Sequence, residues 1–76
     1  MKDLVEYIAK ALVSEPDQVE VLDGGREGDT EIIELRVAPD DRGKVIGKKG
    51  RTAHAIRSLL AAASPEGHSY TLEIVD

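Results

Sequence analysis

The sequence predicts an α+β fold with the element order αββααβ, its helices packed on one face of a three-stranded sheet. Three observations carry that reading. Apolar residues recur at helical spacing in two segments, Leu4 to Leu12 and Ile56 to Ala63. Three other segments alternate apolar with polar residues, as half-buried strands do: Val19–Val21, Ile33–Val37 and Tyr70–Ile74. Prolines 16, 39 and 65 all fall between these segments and none inside them.

The elements follow in order. Asp3 is placed as the N-cap of the first helix with Glu6 three residues on, and Leu4, Val5, Ile8, Ala9 and Leu12 form its apolar stripe. Ser14-Glu15-Pro16-Asp17 ends it, because Pro16 disfavours a helical residue before it. Val19 and Val21 begin a short strand. Gly24-Gly25-Arg26-Glu27-Gly28-Asp29 then reads as a flexible connection. Ile33, Leu35 and Val37 form a clearer strand with one wet face. After Pro39, either Asp40 or Asp41 caps a short helical turn containing Lys44, Val45 and Ile46. Gly47 breaks that turn, Gly50 closes the loop, and the next helix starts near Arg51 or Thr52. Ile56, Leu59, Leu60 and Ala63 are its apolar face. Ser64-Pro65-Glu66-Gly67 stops it before the last strand.

Length and composition narrow the class. At 76 residues the chain fits one domain, 1–76, which must bury most of its apolar residues in one core. Without cysteine it has no disulfide framework and no thiol nucleophile. The two histidines, His54 and His68, lack metal-ligand spacing, so neither metal nor cofactor is expected. No apolar run approaches the roughly 20 residues that span a bilayer, and Met1-Lys2-Asp3-Leu4 does not open a signal peptide. The expectation is a soluble, cytoplasmic protein without a membrane or small-molecule partner.

Net charge is −5, which on its own speaks against a polyanionic ligand. Its distribution reverses the inference. Arg42, Lys44, Lys48, Lys49, Arg51 and Arg57 place +6 in a stretch with no acid, so the other residues together carry −11. A polyanion is attracted to one place and repelled elsewhere.

That place contains Gly47-Lys48-Lys49-Gly50. Two glycines let the backbone turn tightly and meet a phosphate chain without Cβ atoms in the way. The helix that follows supplies unpaired N–H donors. Gly43 and Gly47 do not fit a Walker loop, since no Lys-Ser or Lys-Thr pair follows. There is no Gly-x-Gly for a dinucleotide fingerprint either. Lys48 and Lys49 stand at the loop tip, where long cationic arms reach phosphate oxygens, and Arg51 adds a planar, multidentate contact. Arg42 and Lys44 either join that contact or form a solvated face. Val45, Ile46 and Ala53 are candidates for an apolar groove wall, with core packing the first role of Val45, Ile46 and Ile56; His54 is a surface histidine that can also contact a nucleotide from the helix surface. Arg57 is read as peripheral or paired with an acid.

Val45-Ile46-Gly47-Lys48-Lys49-Gly50-Arg51, continuing through Ala55-Ile56-Arg57, resembles the signature of KH domains. The αββααβ order is similar to the type II form of that fold. With Ala38-Pro39-Asp40-Asp41-Arg42-Gly43-Lys44 before the loop, the whole chain resembles the bacterial KhpA family of stand-alone KH proteins. The resemblance implies a single-stranded RNA ligand, clamped over about four nucleotides. It also implies a role as an RNA chaperone or post-transcriptional regulator. Partnership with a KhpB-type KH protein in control of cell envelope growth follows from the same likeness.

Two other function classes are weighed against this one. In the first, the fold mainly mediates homo- or heterodimer assembly. In the second, the chain is an enzyme acting on a phosphorylated small molecule, a class disfavoured by the absence of a nucleophile–base pair. The acid clusters Glu15/Asp17 and Asp40/Asp41 read as caps and solubilising charge, not as catalytic carboxylates. Tyr7 and Tyr70 are too far apart in sequence to form a stacking platform and read as core or rim residues.

Overall fold

The computed structural model describes residues Met1–Asp76. Helix α1 spans Lys2–Leu12, strand β1 Glu20–Glu27 and strand β2 Thr30–Arg36. A five-residue helix α2 (Arg42–Ile46) and a longer α3 (Arg51–Ala63) precede strand β3, Ser69–Ile74. Single 3-10 turns fill Pro16–Gln18 and Pro39–Asp41, and a tight turn that is non-helical at Lys49 fills Lys48–Gly50. The predicted αββααβ order and α+β class hold, and the arrangement is consistent with a type II KH-like fold.

The sheet is mixed, in the order β1-β2-β3. β1 and β2 are an antiparallel hairpin closed by Gly28 and Asp29, whereas β3 lies parallel to β2. A parallel neighbour requires a crossover, and the whole α2–loop–α3 unit provides it. The loop is therefore suspended between two helices anchored on the same sheet.

Side-chain alternation explains why only one sheet face is covered. Ile33 and Leu35 of β2, with Leu72 of β3, point to the helices and are almost fully buried. Val5 and Ala9 of α1, Val45 of α2 and Ile56 and Leu60 of α3 meet them in one core cluster. The opposite face holds charge: Glu20 lies across from Arg36 in register, and their ends approach to 3.3 Å.

Four expectations need correction. The segment Gly24 to Glu27 is not a flexible connection; β1 runs through it, with an irregularity in register between Asp23 and Arg26. Pairing of Asp23 with Ile33 and of Arg26 with Glu31 on either side holds the two glycines in the strand. Asp3 is not the N-cap, because α1 already starts at Lys2 and Asp3 sits in its first turn, where the helix dipole favours an acid. On α3 the buried stripe is Ala53, Ile56 and Leu60, while Leu59 is 52 % exposed and Ala63 is exposed. Tyr7 is neither core nor rim: it is 75 % exposed on α1.

Candidate nucleic-acid interface

The loop between α2 and α3 is built on three left-handed residues. Gly47 has φ 79° and ψ 167°, Lys49 φ 59° and ψ 26°, and Gly50 φ 74° and ψ 13°. Gly47 closes α2 by donating its N–H to Gly43 O at 2.8 Å, and Gly50 donates to Gly47 O at 3.1 Å. The two glycines serve different ends. A Cβ on Gly47 would stand 2.2 Å from Thr52 Oγ1 and 2.7 Å from the Thr52 backbone nitrogen, so the chain there lies directly on the first turn of α3. A Cβ on Gly50 would meet nothing within 4 Å; only its left-handed backbone asks for glycine. Lys49 is the one non-glycine residue with positive φ.

No side chain caps the N-terminus of α3. Arg51 N–H turns back to Lys48 O, and the following amide groups face the loop that precedes them. Lys48, Lys49 and Arg51 are exposed around this point.

The basic stretch is sorted by its partners. Arg42 is ion-paired with Asp76. Lys44 Nζ lies 3.3 Å from Asp41 Oδ1 and also donates to Ser14 Oγ. Of the two readings of Arg57, peripheral or paired with an acid, the acid pair does not form; its Nε and Nη2 donate to the Leu72 carbonyl at 3.1 and 3.0 Å. Lys48, Lys49 and Arg51 have neither an ion pair nor a side-chain hydrogen bond, so their charge is fully available to a ligand.

Asp41 explains why Lys44 is held. It is the one buried charged residue, and its side chain does not cap α2 as expected. Its two oxygens instead accept the backbone N–H groups of Ser14 and Glu15, each at 3.1 Å. The carboxylate thus ties the end of α1 to the start of α2. The Ser14 hydrogen bond, then the Glu15 bond and the neighbouring Lys44 ammonium, hold the Asp41 carboxyl below its ordinary range, against the opposing effect of burial.

The apolar candidates divide in the same way. Val45 is 0 % exposed and Ala53 is buried as well, so neither presents a wall to a ligand. Ile46, 39 % exposed at the end of α2, is the apolar surface next to the loop. His54 is exposed one turn into α3. No group of three or more metal-ligating side chains comes together, and no helix is long and apolar enough to cross a membrane.

A family model described as the KH domain of KhpA and KhpB matches residues 2–74. The RNA-binding protein KhpA of Halalkalibacterium halodurans is 53 % identical, with all of both chains covered. The RNA-binding protein KhpA of Caldanaerobacter subterraneus is 54 % identical over 99 % of this chain and 100 % of its own. That of Treponema pallidum is 50 % identical over 99 % of this chain and 94 % of its own. These relatives are named for binding, not for an enzymatic activity. No solved structure gives a significant match.

Proposed function

The chain belongs to the KhpA/KhpB KH-domain family, and on that premise we propose that it binds single-stranded RNA by gripping the backbone at Gly47–Gly50. The observation that carries this reading is the sorting of cations. Lys48, Lys49 and Arg51 are unpaired around a turn that brings bare backbone and a helix N-terminus to the surface. Phosphate oxygens passing over Gly47 and Gly50 meet backbone N–H groups at short range and the three cationic arms at longer range. Ile46 offers apolar contact to one base beside them. With roughly two to four phosphates engaged, binding is weak and falls steeply with salt.

Fluorescence anisotropy with a short unstructured RNA, comparing wild type with Lys48→Asp/Lys49→Asp, tests the grip. The double variant is expected to lose nearly all affinity while remaining folded. Unchanged binding by a folded double variant would falsify the reading.

A protein of this size gains from a second KH domain. Joining two weak grips on one strand raises avidity by roughly 10²- to 10⁴-fold without new contacts to either. Half-exposed Leu59, among exposed Ala55, Ala62 and Ala63 on α3, favours such an assembly with another KH chain, its own copy or a KhpB-type protein. A role as an RNA chaperone in cell envelope growth belongs to the same reading. Light scattering of wild type and Leu59→Glu, alone and mixed with a KhpB-type protein, checks the assembly; identical masses in every sample would remove it.

A further inference from the structure

β3 pairs with β2 on one side only. Val75 N–H donates to Leu35 O at 2.9 Å, so the odd-numbered residues at this end of the strand turn their backbone groups towards β2. By alternation Leu72 turns its carbonyl to the open edge. There it accepts both Nε–H and one Nη2–H of Arg57. One fork of the guanidinium is thus used to fix the plane and direction of the group. The other fork, made of Nη1–H and the second Nη2–H, has no partner in the protein and is exposed.

We infer that this free fork of Arg57 reads a base edge carrying two adjacent acceptors. Guanine presents such an edge through O6 and N7, and cytosine through N3 and O2. Adenine places an amino donor beside each of N1 and N7, and uracil puts its N3–H between two carbonyls, so both leave one donor of the fork opposed. The inference rests on the proposed RNA grip and adds to it a source of sequence preference.

Three observations support it. Arg57 lies six residues beyond Arg51 along α3, about 9 Å from the loop by helical rise, within the stretch of about four nucleotides that such a clamp holds. It has no acid neighbour to neutralise it. Most decisively, it is anchored. Long free arms such as Lys48 and Lys49 suit phosphates, which position a strand without reading it. A guanidinium already immobilised on a backbone carbonyl loses little freedom on binding and holds its two donors at fixed spacing. That combination serves discrimination better than attraction.

The test uses the full chain and four hexanucleotide RNAs: oligouridine, and uridine alternating with adenosine, guanosine or cytidine. Wild type is expected to bind the guanosine or the cytidine hexamer about tenfold more tightly than the uridine or adenosine ones. Arg57→Lys, which keeps the charge and can still donate to Leu72 O but lacks the fork, should bring all four to a common level. Replacing guanosine by its 7-deaza analogue, or cytidine by its 3-deaza analogue, should do the same to wild type even if the variant folds poorly. Equal affinity of wild type for all four RNAs overturns the inference, as does a preference that survives in Arg57→Lys or with the deaza bases. An equal loss on every RNA with a shallower salt dependence also overturns it, by placing the fork on a phosphate. If RNA binding itself proves indifferent to Lys48→Asp/Lys49→Asp, the grip fails as well; if it needs those lysines but shows no base preference, only the role of Arg57 fails.

Discussion

Asp41 and Ser14, 27 positions apart, are joined by a 3.1 Å hydrogen bond from the Ser14 backbone N–H to the Asp41 carboxylate. With the matching bond from Glu15, this contact fixes the helix that launches the loop against the end of the first helix. A buried carboxylate accepts at both oxygens at once only while it is ionised; protonated, it keeps one acceptor and turns the other into a donor.

Acid sensitivity follows from that contact. The folded carboxyl titrates below its ordinary value of 3.8, so its stabilising contribution is complete above that value and is lost as pH falls through the folded one. Thermal melting from pH 7 to pH 2 should show the loss in wild type. Asp41→Ala should melt lower than Asp41→Asn, and both lower than wild type, at pH 7. The differences should shrink at the acid end, where the wild-type carboxyl is itself protonated. Parallel curves for all three at every pH would contradict the assignment.

The two loop glycines should fail differently. Gly50→Ala meets no atom and is expected to cost about 1 to 2 kcal/mol from its left-handed backbone alone. Gly47→Ala drives a methyl into Thr52, including its backbone nitrogen, and should cost at least about 1 kcal/mol more. Urea denaturation separates the two. Equal midpoints would show that Thr52 yields.

Lys49 carries backbone strain at the position where its charge is wanted. Its φ of 59° costs an ordinary residue about 1 to 2 kcal/mol. Glycine relieves that cost but gives back about 0.5 to 1 kcal/mol of chain entropy. Lys49→Gly should therefore raise stability by roughly 0.5 kcal/mol while weakening RNA binding. A variant that is both less stable and fully competent for RNA would contradict both halves.

The sorted cations predict unequal salt slopes. Neutralising Lys48, Lys49 or Arg51 should each reduce the slope of log affinity against log salt by about 1. Arg42→Gln, which breaks an exposed pair with Asp76, should change that slope far less and stability by no more than about 1 kcal/mol. Binding measured at several salt concentrations decides; a full unit lost with Arg42→Gln would put that side chain on the RNA.

What the sequence disclosed is what periodicity and spacing encode locally. The two helical stripes, the three alternating segments and the Gly47–Gly50 turn all found their elements. What it hid depends on groups distant along the chain. Asp41 reads locally as a helix cap, and only packing of α1 beside α2 turns its carboxylate to Ser14 and Glu15. Leu59 fits the apolar period as well as Leu60 does, but the sheet covers only the Leu60 side of α3. Arg57 meets a carbonyl because β3 is an edge strand, a fact of strand order that no local pattern contains. Gly24 and Gly25 signal a loop, but β1 runs on through them as an irregularity between the paired Asp23 and Arg26.

The pairing of Arg42 and Lys44 with acids leaves the attractive field on Lys48, Lys49 and Arg51, with the unneutralised Arg57 further along α3 and a repulsive body behind them. For a bound strand this is a matter of time as much as strength. An RNA held at one point and pushed away on either side detaches readily, and differences among such contacts appear chiefly in dissociation rates. On the proposed grip, a single copy of the chain is expected to make brief contacts, with long residence reserved for strands engaged at two points at once.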